Sequence, residues 1–234
     1  MVIRMQEEKL ARKYLPIFMV DEKEPFKIQA IGYTAFRDSI RSDSFPKRII
    51  EADWNLVNCV IEYAIWMDYD IQHLYELEHV WIYVGKDGNV RKVEGSFHGK
   101  YLNMVDLDTG EPVLNEAGQT IVWMQPGKHA LLPDPRLVKV VPGWEESCTV
   151  LAGADGLAVP DAFRGWLPPI DEASQQKICD YIKTQYAFEP SLCFKEMEFD
   201  RECVMPWSEL RDSIPDRLAR ELDKIGVKIS HGRE

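Results

Sequence analysis

Between Tyr14 and about Lys139 the apolar residues come in short or alternating runs broken by Gly, Pro, Asp and Asn, with no sustained helical period. Seven runs read as strands: Tyr14–Val20, Lys27–Phe36, Cys59–Tyr69, Glu76–Val84, Val90–Phe97, Thr120–Gln125 and Leu137–Val141. So many half-apolar strands must cover one another's inner faces, which predicts a mainly β fold built as a β-sandwich. Gly85-Lys86-Asp87-Gly88-Asn89 between two of them is a hairpin loop, since Asp-Gly accepts the positive φ of such turns. Residues 106–118 form a polar excursion with two further turn signals.

After Pro142 the pattern changes. Gly and Pro cluster through residue 169, and two helical periods follow. The first starts at Asp171, an N-cap, and carries Ile178, Tyr181 and Ile182; the second spans about Pro206 to Ile225, with Trp207, Leu210, Ile214, Leu218 and Leu222 three or four apart. Ser213 and Pro215 read as a fresh start within it, and Gly226 as its stop. Two such helices cannot bury themselves. The expected organisation is therefore a β-sandwich over residues 1–141 and a Gly/Pro-rich linker with a helical extension over 142–234, packed on the same core.

Composition narrows the classes. The 234 residues are 45% apolar and 29% charged, with a net charge of −11, which excludes disorder, collagen and a small disulfide scaffold. An acidic chain with pI near 5.0 is a poor partner for nucleic acid or an anionic membrane. No stretch approaches the roughly 18 apolar residues of a membrane span. Charges interrupt Met1–Arg12, so no secretory signal is expected there. Five widely spaced cysteines without a C-x-x-C suit reduced thiols, and the expected location is the cytoplasm.

Chemistry concentrates in Asp68-Tyr-Asp70-Ile-Gln-His73-Leu-Tyr-Glu76-Leu-Glu78-His79. In a strand, Glu76 and Glu78 share a face with Val80, Ile82 and Val84, so two carboxylates turn toward an apolar side. Each costs several kcal/mol unless protonated, matched by a cation or bound to a metal. Asp68, His73, Glu76 and Glu78 make a mainly oxygen set, which suits Mg²⁺, Ca²⁺ or Mn²⁺ better than Zn²⁺. The alternative is a solvated face on which Asp70, Glu76 and Glu78 pair with Lys86, Arg91 or Lys92. If Val84 pairs with Val90, Glu78 falls opposite Ser96 and Glu76 opposite His98. That register sets Lys92 and Glu94 beside Ile82 and Val80, so a bulge at Gly95 is expected. His98 and His129 are the candidates for a general base or acid; each is otherwise a hydrogen-bonded structural histidine.

Tyr63-Ala-Ile-Trp-Met-Asp68, His73-Leu-Tyr-Glu76-Leu-Glu78 and Ser96-Phe-His98-Gly99-Lys-Tyr101 resemble the necrosis- and ethylene-inducing peptide-like proteins, with their heptapeptide GHRHDWE and later S-x-H-G-x-Y pattern. Tyr14-Leu-Pro16, Glu24-Pro-Phe26 and Pro126-Gly-Lys-His129-Ala resemble a fungal and plant vacuolar-sorting-associated family with the same kind of sandwich. The likeness covers roughly residues 14–135. It implies a β-sandwich with a divalent ion at its mouth, held by Asp68, His73, Glu76 and Glu78, or by Asp70 in place of Asp68 because the connecting loop is shorter. Gln72, Tyr75 and Leu77 stand where the heptapeptide has Gly, His and Trp. Those cytolysins act from outside on plant membrane sphingolipids, and without a secretory signal this chain is not expected to share that action.

Three functions follow as expectations. The first is a cytoplasmic divalent-metal-binding protein that recognises a small polar or glycan-like ligand at its ion. The second is a metal-dependent hydrolase with His98 or His129 beside a metal-activated water. The third is an interaction module whose acids form salt bridges only. No G-x-S-x-G, phosphate-loop or dinucleotide motif is present.

Overall fold

The computed structural model describes residues 2–157 and 170–228. The end of the Gly/Pro-rich stretch, residues 158–169, lies outside the described residues. The chain opens with helix α1 (Val2–Lys13) and strands β1 (Ile17–Asp21) and β2 (Ala30–Phe36), then a short hairpin of β3 (Ile40–Arg41) and β4 (Ile49–Ile50). Four strands follow: β5 (Val57–Tyr69), β6 (Leu74–Gly85), β7 (Val90–Phe97) and β8 (Lys100–Asn103). After β9 (Ile121–Met124) and β10 (Leu131–Leu132) come helices α2 (Trp144–Ser147) and α3 (Glu172–Tyr186), strands β11 (Phe194–Glu196) and β12 (Val204–Pro206), and helix α4 (Trp207–Ile225). Among the described residues no helix is long and apolar enough to cross a membrane.

The fold is mainly β, as the alternation predicts. One sheet runs β12-β2-β5-β6-β7-β8 and the other β10-β9-β1-β11. The C-terminal segment supplies an edge strand to each, β11 beside β1 and β12 beside β2. It is thus woven into the sandwich, and Ile178, Ile182, Leu210 and Leu218 join the same core as Phe18, Tyr63 and Val80.

The long β5–β6 hairpin sets which residues face inward. Cys59, Ile61, Tyr63, Ile65 and Met67 lie opposite Val84, Ile82, Val80, Glu78 and Glu76, so the two glutamates share a face with aliphatic neighbours. That face meets the second sheet: a Cβ on Gly95, which pairs with Val80, would stand 2.9 Å from both Leu131 Cβ and Met104 Cε. The other face is covered by α4, with Leu210 Cδ2 3.0 Å from where a Cβ on Gly32 would sit. Beside α4, the segment around Phe45 and Ile50 covers Val60 and Trp81. There the Arg48 guanidinium lies between the rings of Trp81 and Tyr101, 3.8 and 4.0 Å from their centroids, and pairs with Glu94. Glu94 also accepts from Tyr83 Oη at 2.8 Å and Lys92 Nζ at 2.7 Å.

Several local expectations are corrected. The bulge is at Arg91, since Tyr83 pairs with Lys92 while Val84 pairs with Val90; Gly95 is regularly paired with Val80, and the second sheet leaves no room for a side chain there. The shift pairs Ile82 with Val93 and Val80 with Gly95, one residue on from the expected register, so the expected pairs Glu78–Ser96 and Glu76–His98 are not formed. Leu137–Val141 is not a strand: Asp134 caps the amide of Arg136 and Pro135 starts a 3₁₀ turn over Pro135–Val140. Ser213 starts no new helix, because its hydroxyl bonds back to Leu210 O and α4 runs through Pro215. Helix α1 was not anticipated from its charged sequence; it is held by Ala11, which is buried and whose carbonyl accepts from Tyr63 Oη at 2.8 Å. The Asp171 cap and the Gly226 stop are as expected.

Two outcomes test this packing. Gly95→Val is expected to destabilise the protein by about 1–3 kcal/mol through overpacking between the sheets, read from urea unfolding. Glu94 is the pH probe. Burial opposes its charge, but Lys92, Arg48 and Tyr83 outweigh burial and hold the carboxyl below its ordinary range. The stability it contributes is therefore complete above the unfolded value near roughly 4.3 and is lost as pH falls through the lower folded value. The wild type's advantage over Glu94→Gln in urea midpoint is expected to be largest near neutrality and to vanish in acid.

Candidate metal centre

The β5–β6 connection is a tight turn. Asp70 N donates to His73 O at 2.9 Å, and Asp70 Oδ1 accepts from Gln72 N at 2.7 Å, so the carboxylate closes its own turn. Ile71 N donates to Gly127 O at 2.8 Å and Leu74 N to Gly156 O at 2.6 Å. Gly127 has φ +67 and passes so close to Ile71 and Cys148 that a Cβ would lie 2.8 Å from each. Residues 126–129 are thereby pinned against the turn.

This docking brings together residues distant in sequence. Asp70, His73 and Glu76 each present a ligand atom, all within 4.8 Å of one another. Lys128 Nζ donates to Asp70 Oδ1 at 2.8 Å, and His73 Nε2 stands 3.8 Å from the same oxygen. Its Nδ1 lies 3.4 Å from Leu74 O, so the ring edge carrying Nε2 faces Asp70. Asp70 is fully buried, and its Oδ2 has no hydrogen-bond partner among the described residues. Glu76 Oε1 accepts from Leu77 N at 2.8 Å. Glu78 accepts from Ser96 Oγ.

His129 is buried just beyond, its Nε2 3.4 Å from Glu24 Oε1, while Glu24 Oε2 accepts from Gly127 N at 2.8 Å. His98 Nε2 meets Gln125 Oε1 at 2.9 Å. Tyr75, His98 and His129 all adopt left-handed φ, 59°, 48° and 56°, a conformation that costs side-chain-bearing residues about 1 kcal/mol or more. Backbone strain thus gathers around this end of the sandwich.

Electrostatics follow from crowding. Burial, reinforced by Asp70, raises the Glu76 carboxyl against the pull of His73, His129 and Lys128. Burial and Glu76 push Glu78 well up, with the Ser96 hydroxyl opposing. Asp70 goes the other way: burial is outweighed by His73, Lys128 and His129, which hold it low. Burial opposes a charge on His129, yet Glu24, Asp70 and Glu76 together raise it. Crowding thus pulls the acids apart, Asp70 held low and the two glutamates raised.

Scans of family models, curated proteins and solved structures return no match for this chain. The geometry stands alone.

Of the expected ligands, His73 and Glu76 converge, Glu78 lies on the same inner face, and the upstream acid that joins them is Asp70. Asp68 does not join them: it lies on the face turned from the second sheet, takes a hydrogen bond from Trp66 Nε1 at 2.9 Å, and borders a different cleft. The solvated face with Lys86, Arg91 or Lys92 as partners is corrected too, because Asp70 and Glu78 are buried and the lysine that meets Asp70 is Lys128, while Arg91 pairs with Asp87 and Lys92 with Glu94. Lys128 and Glu24 fall within segments that carry the family resemblance but were not assigned to the site from sequence. Their contacts span 58 and 103 residues, and no local pattern announces them.

Asp70, His73 and Glu76 offer a carboxylate-rich donor set of the kind a hard divalent ion takes, and the unpartnered Asp70 Oδ2 is the atom such an ion would satisfy. Removing Lys128 leaves Asp70 buried without its cation. Lys128→Met is expected to cost about 3 kcal/mol in the absence of added metal, measured by urea denaturation in chelator.

Proposed function

We propose that the chain is a divalent-metal-binding β-sandwich protein that recognises a small polar or glycan-like ligand at its ion. The observation that carries this reading is Asp70 Oδ2, buried and unpartnered where an imidazole and a second carboxylate converge. Asp70, His73 and Glu76 would hold the ion, with Glu78 reaching it from the same face of β6. Calcium, magnesium or manganese suits that set. Because these residues fill only part of a coordination shell of six or more, hydroxyl or carbonyl oxygens of a ligand would complete it.

The resemblance to the necrosis- and ethylene-inducing peptide-like superfamily rests on the same segment and supports the same reading, with the protein acting in the cytoplasm. Lys128 supplies a positive charge to the acids when no ion is there, so ion entry displaces an ammonium. Binding is favoured over water activation because His129 is engaged with Glu24 and His98 with Gln125.

Calorimetry with Ca²⁺, Mg²⁺ and Mn²⁺ tests the reading. One of the three is expected to bind the wild type, with Glu76→Ala and His73→Ala weakening it at least tenfold, about 1.4 kcal/mol. Lys128→Met should regain with that ion the stability it lacks in chelator. No heat with any ion, together with a melting temperature indifferent to chelator, would reject the metal and leave a salt-bridged interaction module.

A further inference from the structure

Asp68, separated from the metal cluster, borders a cleft of about 180 Å³ between residues 25–29 and the ends of α3 and α4. Its wall is aromatic. Phe26 and Tyr69 each lie with their ring centroids 4.9 Å from that of Tyr186, and Tyr181 backs Tyr186 at 6.0 Å. Phe26 and Tyr69 are buried, whereas Tyr181 and Tyr186 are half-buried, so part of the ring surface is open to the cleft. Two carboxylates join the rings. Tyr69 Oη donates to Glu221 Oε2 at 2.5 Å, and Asp68 lines the same space.

A cation already tests this chemistry within the chain. Lys224 Nζ lies 3.2 Å from Glu221 Oε2 and 5.7 Å from the Tyr69 ring centroid, within cation–π reach. Its side chain is half exposed and sits in the last turn of α4, just before Gly226. Asp68 and Glu221 line the cleft together with Lys27 and Lys224, and of these Glu221 is the carboxylate that stands beside the rings. A neutral apolar guest would leave those carboxylates desolvated.

We infer that this cleft binds a small organic cation, an alkylated ammonium whose charge lies between the Tyr69 face and the Glu221 carboxylate, and that Lys224 occupies the position until displaced. The space holds about six waters at roughly 30 Å³ each, enough for an ammonium carrying several methyl groups. Arg217 and Arg220 of α4 act on Asp68 and offset part of its charge, which suits a ligand of single positive charge. The site is separate from the metal centre and does not depend on it.

NMR titration of the full chain with choline, alongside its neutral isostere 3,3-dimethylbutan-1-ol, tests the inference. Choline is expected to give saturable shifts at Tyr69, Tyr186 and Lys224 and the isostere none. Lys224→Ala should bind choline at least fivefold more tightly, because the internal competitor is gone, and Glu221→Gln at least fivefold more weakly. Choline without saturable shifts in either wild type or Lys224→Ala, equal binding of the isostere, or Lys224→Ala binding no tighter than wild type would each overturn it.

Discussion

The ammonium of Lys128 against the buried carboxylate of Asp70, 2.8 Å away, is the contact on which the open end of the sandwich depends. Strand β6 turns Glu76 and Glu78 into the gap between the sheets, and the hairpin turn adds Asp70 at full burial. Three acids so close cannot all ionise without cations. The segment around residues 126–129 answers this by bringing Lys128 and His129 across, held by Glu24 and by the close approach of Gly127 to Ile71. Charge compensation and loop docking are one event here: loosen the loop and the acids lose their cations.

The two faces of the larger sheet handle buried charge differently. Behind β6 and β7, Glu94 is met by Arg48, Lys92 and Tyr83, with the guanidinium stacked between Trp81 and Tyr101. That network surrounds its carboxylate with donors, while Nε and Nη1 of Arg48 lie buried against the rings without a hydrogen-bond partner among the described residues. At the inner end of β6 one oxygen of Asp70 remains without a partner and two glutamates tend to keep their protons. A buried polar group is ordinarily satisfied. Both networks on this sheet leave buried polar atoms unpartnered, guanidinium nitrogens of Arg48 on one face and a carboxylate oxygen of Asp70 at the other.

Much of the site was legible because strand periodicity is local. With a repeat of two, Glu76, Glu78, Val80, Ile82 and Val84 had to share a face, and the pairing with Met67, Ile65, Tyr63, Ile61 and Cys59 places that face inward. His73 was legible for the same reason, sitting beside the strand start. Asp68 and Asp70 point to opposite sides of the turn, and only the geometry of the connection, with Asp70 accepting from Gln72 N, decides between them. The register beyond the hairpin loop turned on a single extra residue at Arg91. That extra residue sets Gly95 opposite Val80, where a side chain would run into Leu131 and Met104.

By itself the sequence determined the mainly β class, the inward turn of the β6 carboxylates, the hairpin loop, and the start and end of the C-terminal helices, because each depends on periodicity or on a cap within a few residues. The tertiary structure decided that β11 and β12 complete the two sheets, that α1 is a helix, that Lys128 and Glu24 belong to the acidic cluster, and that Asp68 belongs to an aromatic cleft. Those outcomes come from contacts between segments far apart in the chain, whose energy depends on shared burial and matched charge rather than on the identity of neighbouring residues.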